Sequence, residues 1–430
     1  MKVMIGNDTY PPDVNGAAYF TRHLAEGLAA RGHAVHVLCP SRNLRNGVMT
    51  RDGVIEHRIR SMPVPFHAGF RFSAPPFLRR HVLEEMRRTR PDVVHAQGHL
   101  LIGRTLIRAA KQLGVPVVAT NHFMPDNLVF YLHLPEKIEK KVTEWAWRDF
   151  SRVFERADVI TAPTPFAANL AEEKGVRGPV LSVSCGMDLS RFSPTNDGYA
   201  FKRRYGVPER PTITYVGRLD AEKHVDELIR ALPLVKRSVD AQLVVVGDGH
   251  ERANLVSLAR GQGVEGHVTF TGFVSDGELP GAYAAADVFC NAGTAELQSI
   301  VTMEAMASGK PVVATNARAL PLLVHDGENG RLFEPGDVGG LASRLAELLP
   351  DEGKRTKMGR ESLRIVARHD IGITLTTFEG LYEALSVPGR VPSAVPSGDP
   401  ARALSAVGKA ADTQVGKDRA VRIQTNPRSL

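Results

Sequence analysis

The chain has 430 residues, 43% hydrophobic and 23% charged, a globular composition too long for one core, so two domains are expected. Cys39, Cys185 and Cys290 are scattered without C-x-x-C spacing, which excludes a disulfide framework and a cysteine zinc site and fits a reducing compartment. The net charge of +7 is uneven: residues 1–190 carry an excess of seven basic groups, residues 191–387 an excess of four acidic ones and residues 388–430 an excess of four basic ones, so the first half is expected to meet something anionic.

The chain opens on a short apolar strand, KVMIGN, without a signal-type apolar core, and no 18-residue apolar run follows anywhere. A cytoplasmic protein without a spanning segment is expected. The turn DTYPPDVNGAA sets Asn15, Gly16 and Ala17 between strand and helix, where a Rossmann fold carries its glycine loop. G-x-G-x-x-G is absent, which argues against a nicotinamide dehydrogenase. The strands AVHVLC, DVVHA, VPVVAT, DVITA and PVLSVS complete a first series, alternating with helix-period segments in the manner of a parallel sheet covered on both faces.

Within this series LRRHVLEEMRRTR gathers Arg79, Arg80, Arg87, Arg88 and Arg90, a solvated face that adds to the positive half. His122 follows a strand in ATNHFMPDNL, placed to donate a hydrogen bond or shuttle a proton, or simply to cap or fill a core. The run from Phe123 to Phe150 combines Lys137, Lys140 and Lys141 with Trp145, Trp147 and the apolar Phe130, Tyr131 and Leu132. It reads either as an amphipathic face for a lipid interface or as a helix whose Ile138, Val142 and Trp145 lie at core spacing.

Gly, Pro, Asn and Asp cluster in GMDLSRFSPTNDG, which places a linker at 190–198. A second strand series follows: TITYVG, AQLVVVG, HVTFTG, DVFCN and PVVAT. Two doubly wound units facing across a cleft are expected, residues 1–190 and 199–370, with their chemistry on the loops after the strands. The Pro-, Ser- and Ala-rich segment 388–430 is expected to be a disordered basic tail.

The second series carries the strongest signals. In TYVGRLDAEKH, Arg218 and Lys223 flank a turn after a strand, where a guanidinium fork and a mobile ammonium can neutralise phosphate oxygens. In VVGDGHER, Gly247 and Gly249 permit positive φ and close backbone approach, to a ligand or merely within a tight turn. In AELQSIVTMEAMASGK, Glu296 and Glu304 stand eight residues apart around a helix start at Ser299, whose first amides favour an anion. Eight residues at helical rise span about 12 Å, room to straddle a diphosphate. H-x-x-x-H, G-x-S-x-G and P-loop patterns are absent, so zincin, hydrolase and Walker readings lack support.

Together, VGRLDAEKH, VVGDGHER, the E-x7-E pair and SVSCGMDLSRFSP resemble the retaining glycosyltransferases of family 4, over nearly the whole chain except its tail. The resemblance implies a GT-B fold, a nucleotide diphospho-sugar donor such as a UDP- or GDP-sugar, and no essential metal. It implies that Arg218 and Lys223 hold the diphosphate, that amides around Ser299, Ile300 and Val301 support it, that Glu304 binds the ribose and Glu296 the sugar hydroxyls, with Gly16 near the phosphates and His122 near the reacting carbon. The helix at 371–387 is expected to cross back to the first domain.

Where many members have an aromatic residue and Gly after the first Glu, this chain has Leu297, Gln298 and Ser299. Gln there, and the HFMPDN segment, resemble the members that glycosylate diacylglycerol, and Gln298 can hydrogen-bond a sugar hydroxyl. The expected function is hexosyl transfer with retention to a hydroxyl acceptor, a membrane lipid such as diacylglycerol, by an enzyme peripheral on the inner face of the cell membrane and in contact with its anionic surface. Transfer to a soluble sugar or secondary metabolite, and a nucleotide-sugar epimerase or hydrolase of GT-B fold, are the enzymic alternatives. A nucleic-acid-binding module is suggested only by the basic charge, and no such motif is present.

Overall fold

A computed structural model describes residues 1–13, 15–64, 67–126 and 135–386, with backbone only at 67–70. The tail 388–430 and Phe130, Tyr131 and Leu132 lie outside the described residues. The chain forms two compact units, Met1–Cys185 together with the chain from Gly372, and Gly186–Ile371.

The first unit is built on an eight-stranded sheet of β1 (Lys2–Gly6), β2 (Ala34–Ser41), β3 (Gly47–Arg51), β4 (Val54–Arg60), β7 (Val93–Ala96), β8 (Val117–Thr120), β9 (Val159–Ala162) and β10 (Val180–Ser182), with β5 (Met62–Val64) and β6 (His67–Phe72) paired as a separate hairpin. The order is β10-β9-β8-β7-β1-β2-β4-β3, parallel except for β3 against β4. Val3, Met4 and Ile5 are fully buried, as continuous apolar strands covered on both faces must be. β1 has β7 on one side and β2 on the other, so the strand order reverses there and the loops after β1 and β7 diverge.

Helix Gly16–Ala30 starts at Asn15, whose side chain accepts from the Ala18 amide at 2.9 Å, and it buries Phe20, Leu24 and Leu28 at helical spacing. The last helix, Ile371–Ser386, belongs to this unit through Leu375, Phe378, Leu381 and Tyr382. Leu375 lies so close to Gly27 that a Cβ there would come within 2.6 Å of it. His33 meets Glu379 at 2.8 Å, and the Tyr382 hydroxyl lies 2.6 Å from His95 Nδ1.

The second unit holds six parallel strands, β11 (Thr212–Val216), β12 (Gln242–Val246), β13 (Val268–Gly272), β14 (Val288–Asn291), β15 (Val312–Thr315) and β16 (Gly330–Phe333), in the order β13-β12-β11-β14-β15-β16. Apolar clusters cover both faces. The order reverses between β11 and β14, and these two strands carry Arg218, Lys223 and Glu296 on the loops that follow them.

Residues 190–198 are not a linker. Phe192 is buried edge-on against Tyr283, ring centroids 5.6 Å apart, and the Met187 backbone exchanges hydrogen bonds with His369 and Ile371, so the second unit begins at Gly186. The Pro and Asn in this stretch mark turns, but its apolar side chains are core.

Candidate functional site

At the reversal point of the second unit, Lys223 Nζ donates to Glu296 Oε1 at 2.8 Å, bringing together two residues 73 positions apart, both mostly buried. Arg218 is held by Asp220 and, at 3.1 Å, by Glu222, with about a third of its side chain exposed. Asp220 also takes His250 at 3.2 Å, so the guanidinium is anchored by a carboxylate that is itself fixed. Beneath them the Tyr215 hydroxyl donates to the Arg218 carbonyl at 2.8 Å, and burial holds its pKa well above the ordinary range, so it remains a donor.

Gly293 lets the loop after β14 pass close to this pair. A Cβ there would meet Glu296 Oε1 at 3.4 Å and Lys223 Cδ at 3.6 Å. Asn291 fixes the loop from below: its Oδ1 accepts from the Gly293 amide, and its Nδ2 donates to Ser299 at 3.0 Å and Thr302 at 3.2 Å. The Ser299 hydroxyl, occupied by Asn291 and Thr302, makes no cap bond to the helix Ile300–Ala307. Ile300 and Val301 begin that helix, in the first turn, where amides lack intrahelical acceptors. Gln298, partly exposed, precedes it.

Glu304 is placed differently from Glu296. It is buried inside the helix, its Oε2 accepting from the Tyr283 hydroxyl at 2.6 Å, and burial raises its carboxyl to about 7 against the lowering effect of that hydrogen bond. Gly247 has φ +133, and a Cβ there would lie 1.9 Å from the Gly217 carbonyl, so contact between strand-end loops already requires glycine. Gly249 has no positive φ; its missing side chain clears the Leu219 backbone.

In the first unit Gly16 is exposed at the first turn of its helix, and His122 follows β8. His122 Nε2 donates to Gln97 Oε1 at 2.7 Å, its ring lies against Phe20, and its Nδ1 lies 3.8 Å from the Cys185 thiol. Burial lowers its pKa to about 3. Burial thus favours the neutral ring, whose Nε2 hydrogen is donated to Gln97. Around it, Asp8 caps helix Leu101–Leu113 through the Ile102 amide at 2.8 Å, and Gln97 Nε2 and Asn121 Nδ2 are buried without a partner among the described residues.

On helix Glu136–Phe154 the buried face is Trp147, Phe150 and Phe154, with the Trp147 indole donating to Asp126 at 2.7 Å. Ile138 and Trp145 are instead 50% and 64% exposed beside exposed Lys137, Lys140 and Lys141, and Val142 is half-buried, so the expected core spacing of Ile138 and Trp145 is not realised. Asn291, Gly293, Tyr283 and Asp220 were not foreseen, because each is recruited by a tertiary neighbour; only Gly293, set just before Glu296 in NAGTAE, left a trace in the sequence.

Two family models cover the chain: Glycosyltransferase Family 4 over residues 14–191 and Glycosyl transferases group 1 over residues 197–364. A GDP-mannose-dependent alpha-mannosyltransferase of Mycolicibacterium smegmatis is 32% identical, the match covering 90% of this chain and 98% of the relative. The chain belongs to glycosyltransferase family 4. An alpha-monoglucosyldiacylglycerol synthase of Streptococcus pneumoniae is 27% identical over 83% of this chain and 80% of its own. Sucrose-phosphate synthase from Thermosynechococcus elongatus shares the GT-B fold, with a TM-score of 0.75 at 22% identity, covering 89% of this chain and 98% of that one. This family 4 enzyme is a nucleotide-sugar-dependent glycosyltransferase. No helix among its described residues is long and apolar enough to cross a membrane.

Proposed function

We propose that this enzyme transfers a hexosyl group from a nucleoside diphospho-sugar, with retention, to the hydroxyl of a membrane lipid such as diacylglycerol, working at an anionic bilayer surface. The observation that carries the donor site is the Lys223–Glu296 pair at the reversal point of the second sheet, flanked by Arg218 and the uncapped start of helix Ile300–Ala307. Cations and helix amides suit a diphosphate, and Glu296 suits sugar hydroxyls. Glu304, once Tyr283 is shared or displaced, suits the ribose.

Retaining hydrolases use a carboxylate nucleophile, whereas here Glu296 is occupied by Lys223 and Glu304 is buried. The acceptor oxygen then bonds to the sugar carbon on the face from which phosphate leaves, the carbon–phosphate-oxygen bond breaks, and the acceptor proton passes to the departing phosphate. Arg218 and Lys223 stabilise its charge. The lipid reading is supported by the outward Ile138 and Trp145 among lysines, by exposed Phe77 beside Arg79 and Arg80, and by the acceptor named in the pneumococcal relative.

Nucleotide release from GDP-, UDP- and ADP-sugars, measured with and without diacylglycerol in phosphatidylglycerol vesicles, tests this. Release that requires the lipid is expected. Release without any acceptor indicates a hydrolase, conversion of the donor to a second sugar nucleotide without release indicates an epimerase, and release only with a soluble sugar overturns the lipid assignment.

A further inference from the structure

His224 lies in the left-handed region, φ 49 and ψ 39, between the short turn Ala221–Lys223 and the helix Val225–Val235. Non-glycine residues are uncommon there, and such an outlier points to a constraint imposed by its surroundings. Its ring bridges two groups. Nε2 lies 3.1 Å from Thr294 Oγ1, and Nδ1 lies 3.5 Å from Oε1 of the buried Glu227. The Thr294 amide donates to the Glu222 carbonyl at 3.3 Å, so the loop after β14 is tied to the loop after β11 by backbone and by side chain at one residue.

The hydrogen count then fixes what Thr294 can offer. Which ring nitrogen carries the hydrogen is set by the partner each one faces: Nδ1 turned to Oε1 of Glu227 is the donor, which leaves Nε2 as an acceptor. Thr294 must donate its single hydroxyl hydrogen to Nε2, and its oxygen keeps only lone pairs for anything else. An oxygen of this kind repels phosphate oxygens and takes the O–H of a sugar. It stands two residues before Glu296, on a loop whose Gly293 brings the backbone against that carboxylate.

We infer that His224, oriented by Glu227, holds the Thr294 hydroxyl as an acceptor for a hydroxyl of the transferred sugar, His224 being a positioning residue and Thr294 a determinant of sugar recognition. The inference rests on the donor-site reading above. It does not follow from the diphosphate contacts, which use other side chains.

The test is calorimetric binding of GDP-mannose and UDP-glucose, and of GDP and UDP alone, to the full chain and to Thr294→Val, His224→Asn and the double variant. Asn tolerates the left-handed backbone but cannot span both partners. Each single variant is expected to weaken the sugar nucleotide that the wild type binds by about fivefold, the worth of one neutral hydrogen bond, with no further loss in the double variant. Binding of the sugar-free nucleotide stays unchanged, and Tm stays within about 2 °C of wild type. Unchanged sugar-nucleotide binding, equal weakening of nucleotide and sugar nucleotide, or additive losses each overturn it. Failure of the donor-site reading shows separately, as a wild-type chain that binds none of the four.

Discussion

Tyr283 donates its hydroxyl hydrogen to Glu304 across 2.6 Å inside the second unit, and burial lifts that carboxyl to about 7, above its ordinary 4.5, despite the lowering effect of the bond. Below pH 4.5 the group is protonated in folded and unfolded chains alike, and it costs nothing. As pH rises from 4.5 to 7 the unfolded chain ionises it while the buried group keeps its proton, so stability falls, and the loss levels off above about pH 7. Unfolding free energies of wild type and Glu304→Gln from urea titrations, compared from pH 5 to pH 8, should diverge by up to about 3 kcal/mol, the wild type losing more. Parallel curves would show that Glu304 keeps an ordinary pKa.

On the proposed ribose contact, the same carboxyl should make donor binding proton-linked. Ribose hydroxyls that donate to Glu304 favour its ionised form, so binding near pH 6.5 should release a proton and tighten as pH rises through 7. Calorimetry in two buffers of different ionisation enthalpy reads this directly, and Glu304→Gln should abolish the release.

Arg218→Ala and Lys223→Met should each lower kcat by about a hundredfold, the effect of removing a charge-assisted contact to the departing diphosphate. Arg218 is partly exposed, so folding should survive its loss, and far-UV circular dichroism should be unchanged. Near-normal kcat in both purified variants would remove the donor site from this sheet edge.

How much of this was legible follows from where the energy of each element lies. The eleven strands read from the sequence are continuous runs such as VVV in β12, where burial on both faces leaves a local signature. β4 escaped because VIEHRIR carries charge inward: Glu56 and His57 are buried, the first paired with Arg58 and the second facing Glu85 at 3.1 Å. Lys223 and Glu296 were readable as separate candidates from their turns. Their pairing, and the burial of Glu304 against Tyr283, depend on sheet order and helix packing, which no local pattern encodes.

EDTA should leave at least about half of the activity, because two cations and a helix start can carry the phosphate charge. Among the described residues no cluster of three His, Cys, Asp or Glu side chains is arranged to hold a metal. Complete loss that only a divalent ion restores would contradict the charge assignment.

Trp145 gives the membrane proposal an optical readout. It is exposed while Trp147 is buried, so phosphatidylglycerol vesicles should shift emission to the blue in wild type and in Trp147→Phe, but not in Trp145→Phe. Raising salt should weaken the shift, since the Debye length falls from about 10 Å at 0.1 M to about 3 Å at 1 M. An unchanged spectrum at low salt would leave the lysine-rich helix without a bilayer role.

The helix Ile371–Ser386 also sets the order in which the chain can be completed during synthesis. Phe378 and Tyr382 lie within the core of the first unit, and Tyr382 closes the buried chain that runs from His95 through Thr120 to Thr161. The ribosome must therefore translate the whole of the second unit before the first can finish burying its own apolar surface. Until then the nascent sheet carries an open apolar groove, with His95 missing one of its two partners, and any stop codon before residue 371 damages the half of the protein that was made first.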